Sequence, residues 1–537
     1  MRAQSASVIP LRPLLLSMAI SVVPFLAQAE TADAAKALLN SKCMTCHLPT
    51  EGEGLNRIDE SRRTPEGWDM TIVRMMQAHG LKITTEERQT LVKYLADTHG
   101  LAPEEVEGRR YLLERDFTLV EKPDDQLVAD TCARCHSYGR IALQRRTEDD
   151  WRKMVHFHVG QYPVIEIQAS GRDRDWWDIA SGEVPKRLGK MYGHESDAWR
   201  KWVQQAHVSA AGEWRLVGHR PGWGTYEGVA TIASTGDDNY SIKVTYNYAN
   251  GKQETAEGKA VMYTGYEWRA TLKQGDLDVR QVFTLSPDGK TLSGRWYQQG
   301  VDSIGGRLQA VRAGKDAPAQ LLAVEPSYIK AGTTQRVALY GNNLSGDVQL
   351  GEGVEVVKVL ENTPGKVVVE ARAAAGAKDG ARNVAVGNSQ LDKGLALYQK
   401  VDFINIEPGY AMAHIGGNGG SRPKVPVQFE SVGYAYGADG KAGTADDIRL
   451  GYFPATWSVD DLNEYAAQLR DKEFAGTLQE NGLFIPGDAG PNPKRKYGTN
   501  NAGELKVTAV VDDAGRKVEA SKPLVVTVQR WNDPSIR

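Results

Sequence analysis

The chain has 537 residues, of which 41% are hydrophobic and 25% charged, with a formal net charge of -3. That length exceeds what one core supports, so about three or four domains are expected. The near balance of charge gives no footing for nucleic-acid binding, and no stretch after the N-terminal apolar run approaches the ~20 apolar residues of a membrane helix.

The N-terminus reads as an export signal. Arg2 and Arg12 make a short basic region, Leu14 to Leu26 is apolar, and Ala27-Gln28-Ala29 fits a small-residue cleavage site. Residues 1–29 are therefore expected to be a signal peptide, with Glu30 starting a mature periplasmic protein.

The next signal is a motif that occurs twice. Cys43-Met44-Thr45-Cys46-His47 and Cys132-Ala133-Arg134-Cys135-His136 both read C-x-x-C-H, the pattern of covalent c-type haem attachment. Cys43, Cys46, Cys132 and Cys135 are placed to form thioethers to two haems, and His47 and His136 to bind iron from the proximal side. A thioredoxin-like pair or half a zinc site would use the same cysteine spacing. Neither needs a histidine directly after each pair, and the two pairs stand too far apart for a usual zinc site. The four cysteines are all consumed this way, so no structural disulfide is expected.

After each motif comes Arg-Arg-Thr-x-x-x-Trp: Arg62-Arg63-Thr64 leads to Trp68, and Arg145-Arg146-Thr147 leads to Trp151. This is the mark of a duplicated cytochrome module. Thr64 with Pro65, and Thr147 with Asp150 as a capping-box-like pair, predict helices beginning at each threonine. Thr84 and Glu87 predict a further capped helix with an apolar face of Leu91, Val92, Tyr94 and Leu95, ending near Gly100.

Helix spacing proposes the second iron ligands. Residues three, four and seven after a tryptophan share its face, which gives Thr71, Ile72 and Met75 in the first module and Met154, Val155 and His158 in the second. The expected pairs are His47/Met75 and His136/His158, with Met76, His79, Met154 and His156 as alternatives. His156 is the least favoured, being rotated about 140° from Trp151. Methionine ligation raises a haem potential relative to a second histidine, so two different sets make an ordered relay. Arg62, Arg63, Arg145 and Arg146 are read as possible propionate contacts, with solvation of the helix entrance as the alternative. Only His414 of the ten histidines lies beyond His219, so the metal chemistry belongs to the N-terminal part.

From about Glu213 the pattern becomes alternating. Ile242, Val244, Tyr246 and Tyr248 lead into Asn250-Gly251, and a second turn stands at Pro287-Asp288-Gly289. The fold class is multidomain. An α-helical dihaem cytochrome c domain (30–212, modules about 30–108 and 109–212) is followed by a small antiparallel β-barrel (213–315), with a sandwich as the rival reading. Two immunoglobulin-like sandwiches, 316–400 and 401–537, complete the chain. The acidic stretch Asp439 to Asp447 lacks EF-hand ligand spacing and reads as a turn. Gly416-Gly417-Asn418-Gly419-Gly420 lacks the lysine and context of a phosphate loop and reads as a flexible connection.

The order of signal peptide, two C-x-x-C-H modules with Arg-Arg-Thr-x-x-x-Trp, and β-domains from Glu213-Trp214-Arg215-Leu216-Val217-Gly218 resembles the large dihaem α subunit of quinohaemoprotein amine dehydrogenase. The resemblance covers the mature chain. It implies a periplasmic heterotrimer with a small subunit carrying cysteine tryptophylquinone and a β-propeller subunit. The quinone would oxidise primary amines to aldehyde and ammonia, with electrons leaving through the two haems to a cupredoxin or soluble cytochrome c. No catalytic residue is then expected on this chain, whose cysteines are already committed. The rival readings are an autonomous dihaem cytochrome or peroxidase with an open iron face, and an exported structural or adhesive haem protein.

Overall fold

The computed structural model describes residues 32–51, 54–171, 173–418 and 420–529. The expected signal peptide and its cleavage site lie outside them. No helix among the described residues is long and apolar enough to cross a membrane.

The N-terminal part is helical, and its repeat is visible in the backbone. Thr64 caps the Trp68 helix, Pro65–Ala78, by accepting from Gly67 N, and Pro65 occupies the first turn, where its missing N–H costs nothing. Thr147 caps the Trp151 helix, Glu148–Gln161, by accepting from Asp150 N. The expected capping-box pair stops there, because the Asp150 carboxylate is taken by Arg146 and Arg57 instead. Thr84 and Glu87 do close a reciprocal box at the start of Thr85–Thr98.

Two short strands, β1 (Ser61–Arg63) and β2 (Gln144–Arg146), pair antiparallel and join the modules. Trp68 Nε1 donates to His99 O at 2.9 Å, and Trp151 Nε1 to Tyr192 O at 3.1 Å. The same two carbonyls accept the backbone N–H of Arg63 and Arg146 at 2.9 and 3.1 Å. His99 and Tyr192 cap the helices Thr85–Thr98 and Val184–Met191, so each module is one strand and two helices tied at a single carbonyl.

Residues 212–312 form a closed barrel of eight antiparallel strands, in which the last, Val301–Arg312, pairs with the first, Gly212–Arg220. This settles the choice between barrel and sandwich. Gly251 and Gly289 take positive φ of 85° and 69° in the two turns read from the sequence, a conformation that glycine adopts without steric cost. Trp214, Tyr226, Trp268 and Phe283 fill the interior.

The helical domain is bolted to this barrel. Trp199 and Trp202 from the helical side and Tyr266, Val282 and Tyr297 from the barrel share one apolar core. Around it Arg269 holds Glu66 at 2.6 Å, Arg115 holds Asp302 at 2.7 Å, and Arg295 donates to the carbonyls of Glu114 and Arg115. Gly100 lies where a Cβ would come within 2.2 Å of Ala96 O and 2.8 Å of Thr264, so only glycine lets the chain leave the helix this close to the barrel.

Beyond the barrel, two four-stranded sheets pack over a core that includes Val337, Leu339, Val369 and Leu397. The last domain departs from a plain two-sheet sandwich: a four-stranded sheet is accompanied by two three-stranded ones. The chain between Thr456–Asp461 and Gly503–Asp513 makes an excursion with two short helices and part of the extra sheet. Asp471 anchors it, accepting from Arg495 and from Glu504 N. In the acidic loop the carboxylates serve the turn itself: Asp439 accepts from Lys441 N, and Asp447 from Gly443 N and Thr444 N. The described part of the glycine run is a bonded turn rather than a loose connection, since Gly417 N donates to Arg422 O and Gly420 N to Gly417 O.

Candidate functional site

The second C-x-x-C-H motif sits at the end of a helix, Gln126–Cys132, which places Cys135 and His136 on the turn beyond it. Burial, with a smaller contribution from Cys135, pushes the Cys132 thiol up to about 12, and burial also raises Cys43. That direction marks Cys43 and Cys132 as packed sulfurs rather than activated thiolates.

His136 and His158 line one cavity together with Cys132, Cys135 and Met154. His136 Nδ1 donates to Ser137 O at 3.1 Å and His158 Nδ1 to Met154 O at 2.7 Å. A carbonyl only accepts, so each ring carries its proton on Nδ1 and keeps the Nε2 lone pair for a metal. Burial lowers the pKa of both histidines, which favours the neutral imidazole that ligation requires. His156 stands apart, exposed and edge-on to Trp177 at 5.2 Å.

His136 has a support the sequence did not reveal. The Ser137–Tyr138 peptide accepts from His136 with its carbonyl and donates to Glu121 with its N–H at 2.7 Å. Glu121 also accepts from Gly139 N at 2.8 Å and from the Tyr111 hydroxyl at 2.5 Å. A carboxylate thus stands one peptide behind the ring. It lies before the helix Gln126–Cys132 that leads into the motif, and nothing in its local pattern distinguishes it from a surface acid.

At the first motif His47 Nδ1 donates to Asn56 O at 2.9 Å, the same arrangement, and Leu48 N donates to Asn56 Oδ1 at 3.0 Å. Cys43 packs on the cluster of Trp68, Ile72, Leu91 and Leu95, which also receives Met76. Met75 is half-buried on the neighbouring helix position, outside that cluster, and His79 is exposed at the helix cap.

Comparison with known families bears on these centres. Residues 33–199 match "Quinohemoprotein amine dehydrogenase A, alpha subunit, haem binding". Residues 207–313, 318–399 and 404–536 match domains II, III and IV of the same alpha subunit. The chain belongs to the α-subunit family of quinohaemoprotein amine dehydrogenase. No curated protein matches it. Among solved structures, the redesigned β barrel mFAP1 bound to DFHBI is 18% identical over 19% of this chain and 94% of its own, with a TM-score of 0.17. Drosophila N-cadherin EC1-4 is 11% identical over 61% of this chain and 95% of its own, with a TM-score of 0.15.

In this member of the α-subunit family the four repeat arginines divide into two kinds. Arg62 and Arg145 are structural. Arg62 grips both oxygens of Glu105 at 2.8 and 2.9 Å and fills its other donors with His194 O, Gly100 O and Ser196. Arg145 donates to the same carboxylate at 3.0 Å and to the carbonyls of Ala142, Gln144 and Glu105. Arg62 keeps no donor for a propionate and Arg145 at most one N–H, and the charge of both is already met by Glu105, which corrects that expectation for this pair. Arg63 and Arg146 lie over Trp68 and Trp151, 5.0 and 5.4 Å from the rings, and both line the cavity. The residue types therefore fit a haem: two thiols, neutral imidazoles with free Nε2, and cationic wall groups.

Proposed function

We propose that this chain is the electron-transfer subunit of a periplasmic quinohaemoprotein amine dehydrogenase, with one haem c attached at Cys43 and Cys46 and another at Cys132 and Cys135. The observation that carries this reading is the shared state of His47, His136 and His158, each with Nδ1 tied to a carbonyl and Nε2 free. His136 and His158 are the ligands of the second iron, and His47 and Met75 those of the first.

Bound haem supplies a one-electron couple, whose potential is set by axial ligands and their surroundings. This chain holds the rings in one tautomer, walls the second centre with apolar and cationic groups, and fixes both modules on the barrel. In this reading a partner's cysteine tryptophylquinone oxidises a primary amine by two electrons, which leave singly through this subunit to a cupredoxin or soluble cytochrome c. A small quinone-bearing chain and a β-propeller chain complete the heterotrimer.

The test is purification from the native periplasm, with haem and quinone staining on one denaturing gel. A large haem-positive chain with a small quinone-positive one supports the assembly. The large chain alone, with a high-spin signal that takes up cyanide, replaces it by an autonomous dihaem cytochrome or peroxidase.

A further inference from the structure

Arg63 is a buried guanidinium whose Nη1 and Nη2 donate to the hydroxyls of Thr71 and Ser61 and whose Nε finds no hydrogen-bond partner. Its counterpart Arg146 spends Nη1 on Asp150 and Nε on Gln144, and its Nη2 is likewise buried and unpartnered. The difference between the modules lies three residues after each threonine. The second module has Asp150 there and the first has Gly67, where an added Cβ would meet Arg63 Cβ at 3.0 Å. The first module thus buries an arginine and supplies no carboxylate of its own: the charge that acts on Arg63 is Asp150 of the second module, whose oxygens are already bonded to Arg57 and Arg146.

A buried cation whose N–H is left without an acceptor is costly, and an arriving anion would relieve that cost. Both side chains line the cavity that contains Cys132, Cys135 and His136, and Arg74 and Arg140 line it too. Burial and the charge of Arg146 hold Arg63 well below the ordinary guanidinium value, and the charge of Asp150 offsets them only in part. A carboxylate accepting from both orphan N–H groups would satisfy each and relieve their repulsion.

We propose that Arg63 and Arg146 form an anion clamp, built from both modules, for a propionate of the haem attached at Cys132 and Cys135. The second haem is then held and tuned in part by a residue of the first module. This rests on the reading that the site carries a haem.

The test uses the full chain with its haems attached, titrated spectroelectrochemically, with the two centres told apart by their EPR signals. Arg63→Gln is expected to shift the second haem's reduction equilibrium about ten-fold toward the oxidised form, about 59 mV for one electron. The first haem's potential should not move, and the second's should become pH-dependent, because its propionate has lost the cation that keeps it ionised. Arg63→Lys, which keeps the charge without the fork, should recover part of the shift and gives the reading if Arg63→Gln does not mature. Unmoved potentials, equal movement of both haems, or a wild-type second haem that shifts as much on adding inorganic phosphate would each overturn the clamp. A wild-type chain with haem at only one motif would instead defeat the underlying reading of the site.

Discussion

Arg62 and Arg145 stand at the same place in the two repeats and pair with each other across β1 and β2, so the local two-fold axis relating the modules passes between them. Ser61 opposite Arg146 and Arg63 opposite Gln144 are the symmetric mates on either side. A single carboxylate, Glu105, answers both central arginines.

Glu105→Gln should therefore strain both modules at once. Breaking a buried ion pair from one side costs about 3–5 kcal/mol, and here two guanidinium groups lose their counter-charge. Thermal unfolding of the haem-loaded chain should show the loss. Burial alone would raise the Glu105 carboxyl, but Arg62 and Arg145 outweigh it and hold it below its ordinary value. Its contribution is then complete above the unfolded carboxyl value of ~4.3 and disappears as pH falls through the lower folded one. The gap between wild type and variant should narrow in acid; a gap that widens would reject the assignment.

On the proposed ligation, His158→Ala should leave one iron without its second strong ligand. EPR is expected to show one high-spin and one low-spin haem per chain, with cyanide binding to the former. His156→Ala, on an exposed ring, should change neither signal.

At the first centre, Met75→Leu should lower the midpoint potential, because thioether ligation favours the reduced iron. Met76→Leu, a change of similar volume within the Trp68 cluster, should cost less than about 1.5 kcal/mol and leave the visible spectrum alone. The reverse result would exchange the roles of the two methionines.

Glu121→Gln should raise the second haem's potential. The carboxylate makes the Ser137 carbonyl a better acceptor for His136, and a more electron-rich imidazole favours oxidised iron. A redox titration showing no change would reduce Glu121 to a helix cap.

Trp202→Ala should uncouple the helical domain from the barrel. Trp202 packs edge-on to Tyr266 at 5.2 Å and donates to Thr264 O at 2.9 Å, so its removal is expected to cost about 3–5 kcal/mol. Calorimetry should then resolve two transitions with separated midpoints.

The sequence showed whatever is written in a few neighbouring residues. The thioether motifs, the threonine caps at positions 64, 84 and 147, and the turns at Gly251 and Gly289 are local chemistry, and the structure has all of the caps and turns. Repeat alignment carried His158 into the cavity because helix phase is fixed by spacing. What it hid depends on contacts across long stretches of chain. Glu105 reaches back to Arg62 and forward to Arg145, and neither link has a local trace. Four arginines that look alike in the repeat part company only when Glu105 takes Arg62 and Arg145 and leaves Arg63 and Arg146 on the cavity wall. The last domain's added sheet escaped because its strands are as short as Gly476–Leu478 and Leu483–Pro486.

The β1–β2 contact is self-complementary: each repeat offers the same three positions to the other, the last two of them arginine in both. That is how two identical chains meet in an isologous dimer. The helical domain thus has the geometry of two like modules facing each other within one chain. Within one chain the halves need not match, which leaves one free to carry Gly67 where the other carries Asp150, and methionine where the other carries histidine.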